Sequence, residues 1–76
     1  MNYTRSEVAA GEVRALLGRN RQTIHQLAIA TDISLSTLKR RLLLKAPFTV
    51  DELERIARHF DVSVLSLVSR PEERAS

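Results

Sequence analysis

Between Thr23 and Leu44 the chain reads TIHQLAIATDISLSTLKRRLLL, and this stretch restricts the fold more than any other. Apolar or small residues recur at Ile24, Leu27, Ala28 and Thr31, the i, i+3, i+4, i+7 spacing of a helix with one buried face. Thr23 and Gln26 stand three apart and predict a capping box at its start. Thr31-Asp32-Ile33-Ser34 then stops one helix and begins another. Asp32 tolerates a left-handed turn conformation, Ile33 anchors the turn, and Ser34 is a preferred N-cap. Small Ala28 allows the two helices to approach closely at the corner.

Along the second helix, steps of 100° from Ser34 place Leu38 at about 40°, Leu42 at about 80° and Arg41 at about 340°. The opposite sector, about 140° to 240°, holds Lys39, Leu43, Ser36 and Arg40. One face is thus expected in the core, and the other presents two cations, a hydroxyl and a leucine. A lone Lys-Arg-Arg run is usually a solvated helix face. Directly after such a turn, however, it offers what a DNA major groove requires: donors for guanine, a small polar group and an apolar surface for a thymine methyl.

Residues 13–68 resemble the Cro/C1-type (XRE) helix-turn-helix family of phages and bacteria. The resemblance rests on Leu27-Ala28, Asp32-Ile33-Ser34, Ser36-Thr37-Leu38 with Arg40, and the downstream FTVDELERIARHFDVSVLSLV. Asp32 stands where that family usually has glycine, Ile24 where it often has glutamine, and Arg41 at a commonly apolar position, with Leu42 beside it taking over the burial. The resemblance implies an all-α, compact five-helix, lambda-repressor-like domain over residues 1–70, followed by a disordered tail at 71–76. It also implies a repressor-like or Cro-like regulator of transcription that binds double-stranded DNA. On that reading Ser36, Lys39, Arg40 and Leu43 read base edges, with Leu35 and Thr37 flanking the groove. Arg19, Arg21, Thr23, Arg41 and Lys45 are the candidates for phosphate contact. The competing reading is a protein-interaction module, an antitoxin or adaptor, which would use the leucines at Leu43 and Leu44 and the last helix.

Charge agrees with a polyanionic partner. From Arg19 to Lys45 six cations face Asp32 alone, a net +5, whereas the remainder of the chain nets −2. The 76 residues suffice for one domain, which buries only about 60% of its unfolded surface. No cysteine is present, so no disulfide or thiolate metal site can form. MNYTRSEVAAGEVR lacks the apolar run of a signal peptide, and a soluble cytoplasmic protein without membrane segments is expected.

The remaining elements follow from caps and breaks. Thr4 and Glu7 predict another capping box, with Tyr3 stapled to Val8 and residues 1–3 loose. Ala9, Val13, Leu16 and Leu17 form the buried face of this first helix, with Arg5, Glu12, Arg14 and Arg19 outside. Gly11 predicts fraying of its first turns, and Gly18 with Asn20 is expected to close it. Arg19 and Arg21 are assigned to the following loop. Pro47 enforces a break, after which Thr49 and Glu52 box the start of the fourth helix, and Phe48 staples to Leu53. Its core face is Leu53, Ile56, Ala57 and Phe60. Ser63 caps the fifth helix, where Val64, Leu65, Leu67 and Val68 span an arc of about 160°, wide enough for core and for a homodimer contact.

No catalytic constellation is visible. His25 and His59 lie on different helices without metal-ligand spacing, and His59 suits the negative end of a helix dipole. Ser34, Ser36 and Ser63 lack a base with its orienting group, Glu52 and Glu54 form a solvated face, and the two glycines make no phosphate loop. No enzyme, cofactor, metal or small-molecule ligand is expected.

Overall fold

The computed structural model describes residues 4–74 and is all-α: α1 (Arg5–Arg19), α2 (Ile24–Thr31), α3 (Leu35–Leu42), α4 (Val50–Phe60), α5 (Val64–Val68) and a short α6 (Pro71–Arg74). The expected loose start and the Tyr3–Val8 staple lie outside the described residues.

A hydroxyl residue caps each of the first five helices: Thr4, Thr23, Ser34, Thr49 and Ser63. Thr4–Glu7, Thr23–Gln26 and Thr49–Glu52 form complete capping boxes, each satisfying two amides that a helix start leaves orphaned. The helix ends share one device. Arg21, Asp32, Leu44 and Asp61 take positive φ, and the next N–H reaches back to the carbonyls of Leu17, Ala28, Arg40 and Ala57 at 2.8–3.2 Å. No glycine takes that position. Gly18 stays inside α1, Asn20 caps it in a right-handed conformation, and Arg21 makes the left-handed turn expected near Gly18 and Asn20.

Val13, Leu27, Leu38, Ile56 and Leu67, one from each of α1 to α5, are the largest fully buried side chains. They belong to one cluster with Ala9, Ala10, Leu16, Leu17, Ala28, Ile33, Leu42, Leu53 and Ala57. Phe48, Phe60, Val64 and Val68 pack against it from partly buried positions. α1 lies mainly on α5 and α3, and α2 on α3 and α4. α1 runs unbroken through Gly11 from Arg5.

Residues 71–74 lie in the segment expected as a tail. They form a helical turn with proline at its first position, where a missing N–H costs nothing. α5 itself ends earlier, at Val68, with Ser69 extended. Glu73 accepts from the Arg70 amide at 3.1 Å and from both terminal nitrogens of Arg5 at 2.8 and 3.1 Å, while Arg5 also donates to the Val68 carbonyl at 2.9 Å. This clasp ties α6 to the first turn of α1.

Two outcomes follow from these local geometries. A Cβ built on Gly11 meets nothing within 4 Å, so Gly11→Ala should stabilise the domain by about 0.5–1 kcal/mol, and an unchanged urea midpoint would refute this. The hydrogen bonds from Arg5 and the Arg70 amide hold the Glu73 carboxyl at about 2, below its ordinary 4.5. The stabilisation from this clasp is therefore complete above pH 4.5 and lost as pH falls toward 2, so amide exchange in α6 should accelerate across that window. Arg5→Ala should weaken this pH dependence, the hydrogen bonds from Arg70 retaining part of it.

Candidate nucleic-acid interface

α2 and α3 meet across Asp32, whose φ of 57° and ψ of 34° turn the chain. The turn is secured from within: the Ile33 amide donates to the Ala28 carbonyl at 3.2 Å, and the Ile33 side chain is buried. Thr31, also buried, donates its hydroxyl to the Leu27 carbonyl at 2.7 Å, which satisfies a polar group the core could not otherwise hold. Ser34 Oγ accepts the Thr37 amide at 3.2 Å and starts α3.

α3 has the two faces its sequence predicts. Leu38 and Leu42 are buried, whereas Ser36, Lys39, Arg40 and Leu43 are exposed, Leu43 at 62%. Lys45 is exposed just beyond, and Arg19, Arg21 and Thr23 are exposed around the start of α2. Arg19 belongs to the last turn of α1 and not to the loop. Thr23 Oγ1 accepts the Gln26 amide at 3.1 Å and keeps its own proton to donate.

Three other candidate residues, Leu35, Thr37 and Arg41, are partly buried and have partners within the fold. Leu35 is half-buried against the core. Thr37 is half-buried and accepts from Ser34 Oγ at 2.7 Å, which commits its hydroxyl oxygen to the cap. Arg41 donates from Nε and Nη2 to the two carboxylate oxygens of Glu52 at 2.8 and 3.0 Å, its side chain 18% exposed and that of Glu52 13%. The ion pair is bidentate and largely shielded, and it engages Nε and Nη2 of the guanidinium.

Burial alone would raise the Glu52 carboxyl. The Arg41 hydrogen bonds, the Thr49 amide and the Arg41 charge outweigh it and hold the group below its ordinary range.

Two further arginines support the motif without having been assigned to it by sequence. Arg14, expected on the solvated side of α1, donates to the Leu42 carbonyl at the end of α3. Arg55 on α4 donates to the Thr31 and Asp32 carbonyls at 3.4 and 3.3 Å and pairs with Asp51 at 3.1 Å. Helix ends leave carbonyls unpartnered, so some donor was to be expected there; its identity depends on tertiary placement. His59 packs edge-on to Phe60 and shares a hydrogen bond of 2.8 Å with Gln22 Oε1, joining α4 to the loop before α2.

The fifth helix offers less to a partner than its arc implied. Leu67 is 1% exposed and belongs to the core, Val64 and Val68 pack partly against it, and Leu65 at 70% is the outward residue. Among the described residues no helix is long and apolar enough to cross a membrane.

The contrast along α3 has a measurable consequence. Leu38→Ala should cost about 2–5 kcal/mol, because it opens a cavity in the shared core. Leu43→Ala should stay within about 0.5 kcal/mol of the parent in the same denaturation experiment. Equal costs would mean that α3 is rotated from the orientation described.

No curated protein and no solved structure matches the chain. A family model does: the BetR domain, matched over residues 4–76, a span that takes in every helix described above. The chain therefore belongs to the BetR domain family, a small helical domain of the helix-turn-helix, DNA-binding regulatory type and not an enzyme family.

Proposed function

We propose that this BetR domain is a sequence-specific double-stranded DNA-binding regulator of transcription, repressor-like or Cro-like, with α3 lying in the major groove. The observation that carries the proposal is the division of α3: two leucines in the core, and Ser36, Lys39, Arg40 and Leu43 facing solvent. Lys39 and Arg40 supply donors to guanine, Ser36 a short polar contact, and Leu43 an apolar surface for a thymine methyl. Arg19, Arg21, Thr23 and Lys45 contact phosphates and fix register. Arg41 is excluded from this set because Glu52 holds it, and Leu35 and Thr37 shape the face without reading bases.

Half-sites for two copies would lie about 34 Å apart, one turn of duplex. A homodimer through α5 would rest on Leu65, with Val64 and Val68 at its margin and Leu67 taking no part. Such a protein works in the cytoplasm, on the nucleoid. The second reading, an antitoxin-like or adaptor-like interaction module, draws on the exposure of Leu43 at 62% and Leu44 at 50%.

Selection of preferred duplexes from a randomised pool, followed by titration at several salt concentrations, separates the two readings. Arg40→Ala should cost about 1–3 kcal/mol on the selected duplex and relax preference at one base pair. Lys45→Ala should weaken selected and random duplexes alike and reduce the salt slope by about 1. Wild-type affinity in Arg40→Ala would remove that residue from base reading. No duplex binding even at low salt would favour the interaction module.

A further inference from the structure

The Arg41–Glu52 pair has a place in the fold that bears on how α3 is aimed. Glu52 sits in the first turn of α4, and its Oε1 accepts the Thr49 amide at 2.9 Å as well as Arg41 Nε. The carboxylate is therefore fixed by its own capping box before Arg41 reaches it. α4 in turn is anchored in the core through Leu53, Ile56 and Ala57. Arg41 lies in the last turn of α3 beside Arg40, and the segment that follows bears exposed Leu43, left-handed Leu44 and the break at Pro47. A planar guanidinium gripped at two nitrogens resists rotation of α3 about its own axis, which two packed leucines alone oppose less directly.

We infer that Arg41 and Glu52 are positioning residues, which set the rotation of the reading helix and so determine sequence discrimination without touching DNA. The inference rests on the proposed DNA-reading function. Side-chain tips lie about 5–6 Å from a helix axis, so a turn of about 10° displaces Lys39 and Arg40 by about 1 Å. That displacement is enough to spoil donor–acceptor geometry at a base edge while leaving phosphate contacts, which need less alignment, largely intact.

The test compares wild type, Arg41→Gln, Glu52→Gln and the double variant on a selected and a random duplex across a salt series. Glutamine at 52 preserves the capping box, so folding is retained, as thermal unfolding will register. Each single variant should lower the ratio of selected to random affinity by about tenfold with an unchanged salt slope. The double variant should lose no more than either single one, since all remove the same contact. In the free protein, amides of the last turn of α3 should exchange faster in Glu52→Gln, with those of α1 unaltered.

A salt slope reduced by about 1 in Arg41→Gln, with both duplexes weakened equally, would make Arg41 a phosphate contact and overturn the inference. Tighter binding of every duplex by Glu52→Gln would do the same, as would unchanged discrimination or unchanged exchange. Failure of the wild type to prefer any duplex would instead strike the DNA-reading proposal itself, and the inference with it.

Discussion

Leu38 and Leu42 hold α3 to the rest of the molecule, and everything proposed for its outer face follows from their burial. They enter a cluster to which every one of the first five helices contributes a fully buried aliphatic side chain. In a domain this small no helix has a private core. Removing apolar surface from water is the main favourable term, and it is available only if α1, α2, α4 and α5 are already arranged to receive the two leucines. At 100° per residue, seating positions 38 and 42 leaves 36, 39, 40 and 43 no place but the solvent side. The exposed cations are a geometric consequence of apolar packing.

Charge is then divided by tertiary structure into groups that hold and groups that remain free. Of the six cations between Arg19 and Lys45, Arg41 is taken by Glu52, eleven residues away. Arg14 and Arg55, from outside that zone, are spent on carbonyls at the ends of α3 and α2. Those carbonyls carry the negative end of each helix dipole, which is why guanidinium groups settle there. The cations without an ion pair among the described residues, Lys39, Arg40, Lys45, Arg19 and Arg21, gather at α3 and around the start of α2. A basic surface thus survives, though smaller and more localised than the linear count of charges indicates.

The helix boundaries show a similar division. Four helices end on a left-handed residue that is not glycine, and bulky Leu44 is the least suited of the four. For an L-residue that conformation costs roughly 1–2 kcal/mol, a cost Asp32 and Asp61 meet more easily through their short polar side chains. The hydrogen bond returned by the next amide and the packing of the following element, Ile33 after Asp32 and Val62 after Asp61, offset it. The glycines, meanwhile, lie within α1, where no turn requires them.

What the sequence determined by itself is whatever depends on neighbours within four or five positions: the caps at Thr4, Thr23, Ser34, Thr49 and Ser63, the apolar stripes, the turn at Asp32, and hence the two faces of α3. These are fixed by helix periodicity and by local hydrogen bonds, so they can be read from spacing alone. Only the tertiary structure decided that Arg41 pairs with Glu52, that Arg14 and Arg55 cap helix ends 28 and 23–24 residues away, that Leu67 is consumed by the core while Leu65 is left out, and that Glu73 is clasped by Arg5 across 68 residues of chain. The physical reason is one of reach: a cation or an amphipathic helix has many partners of suitable chemistry in a sequence, and the selection among them is made by which groups come within hydrogen-bonding distance once the shared core has closed.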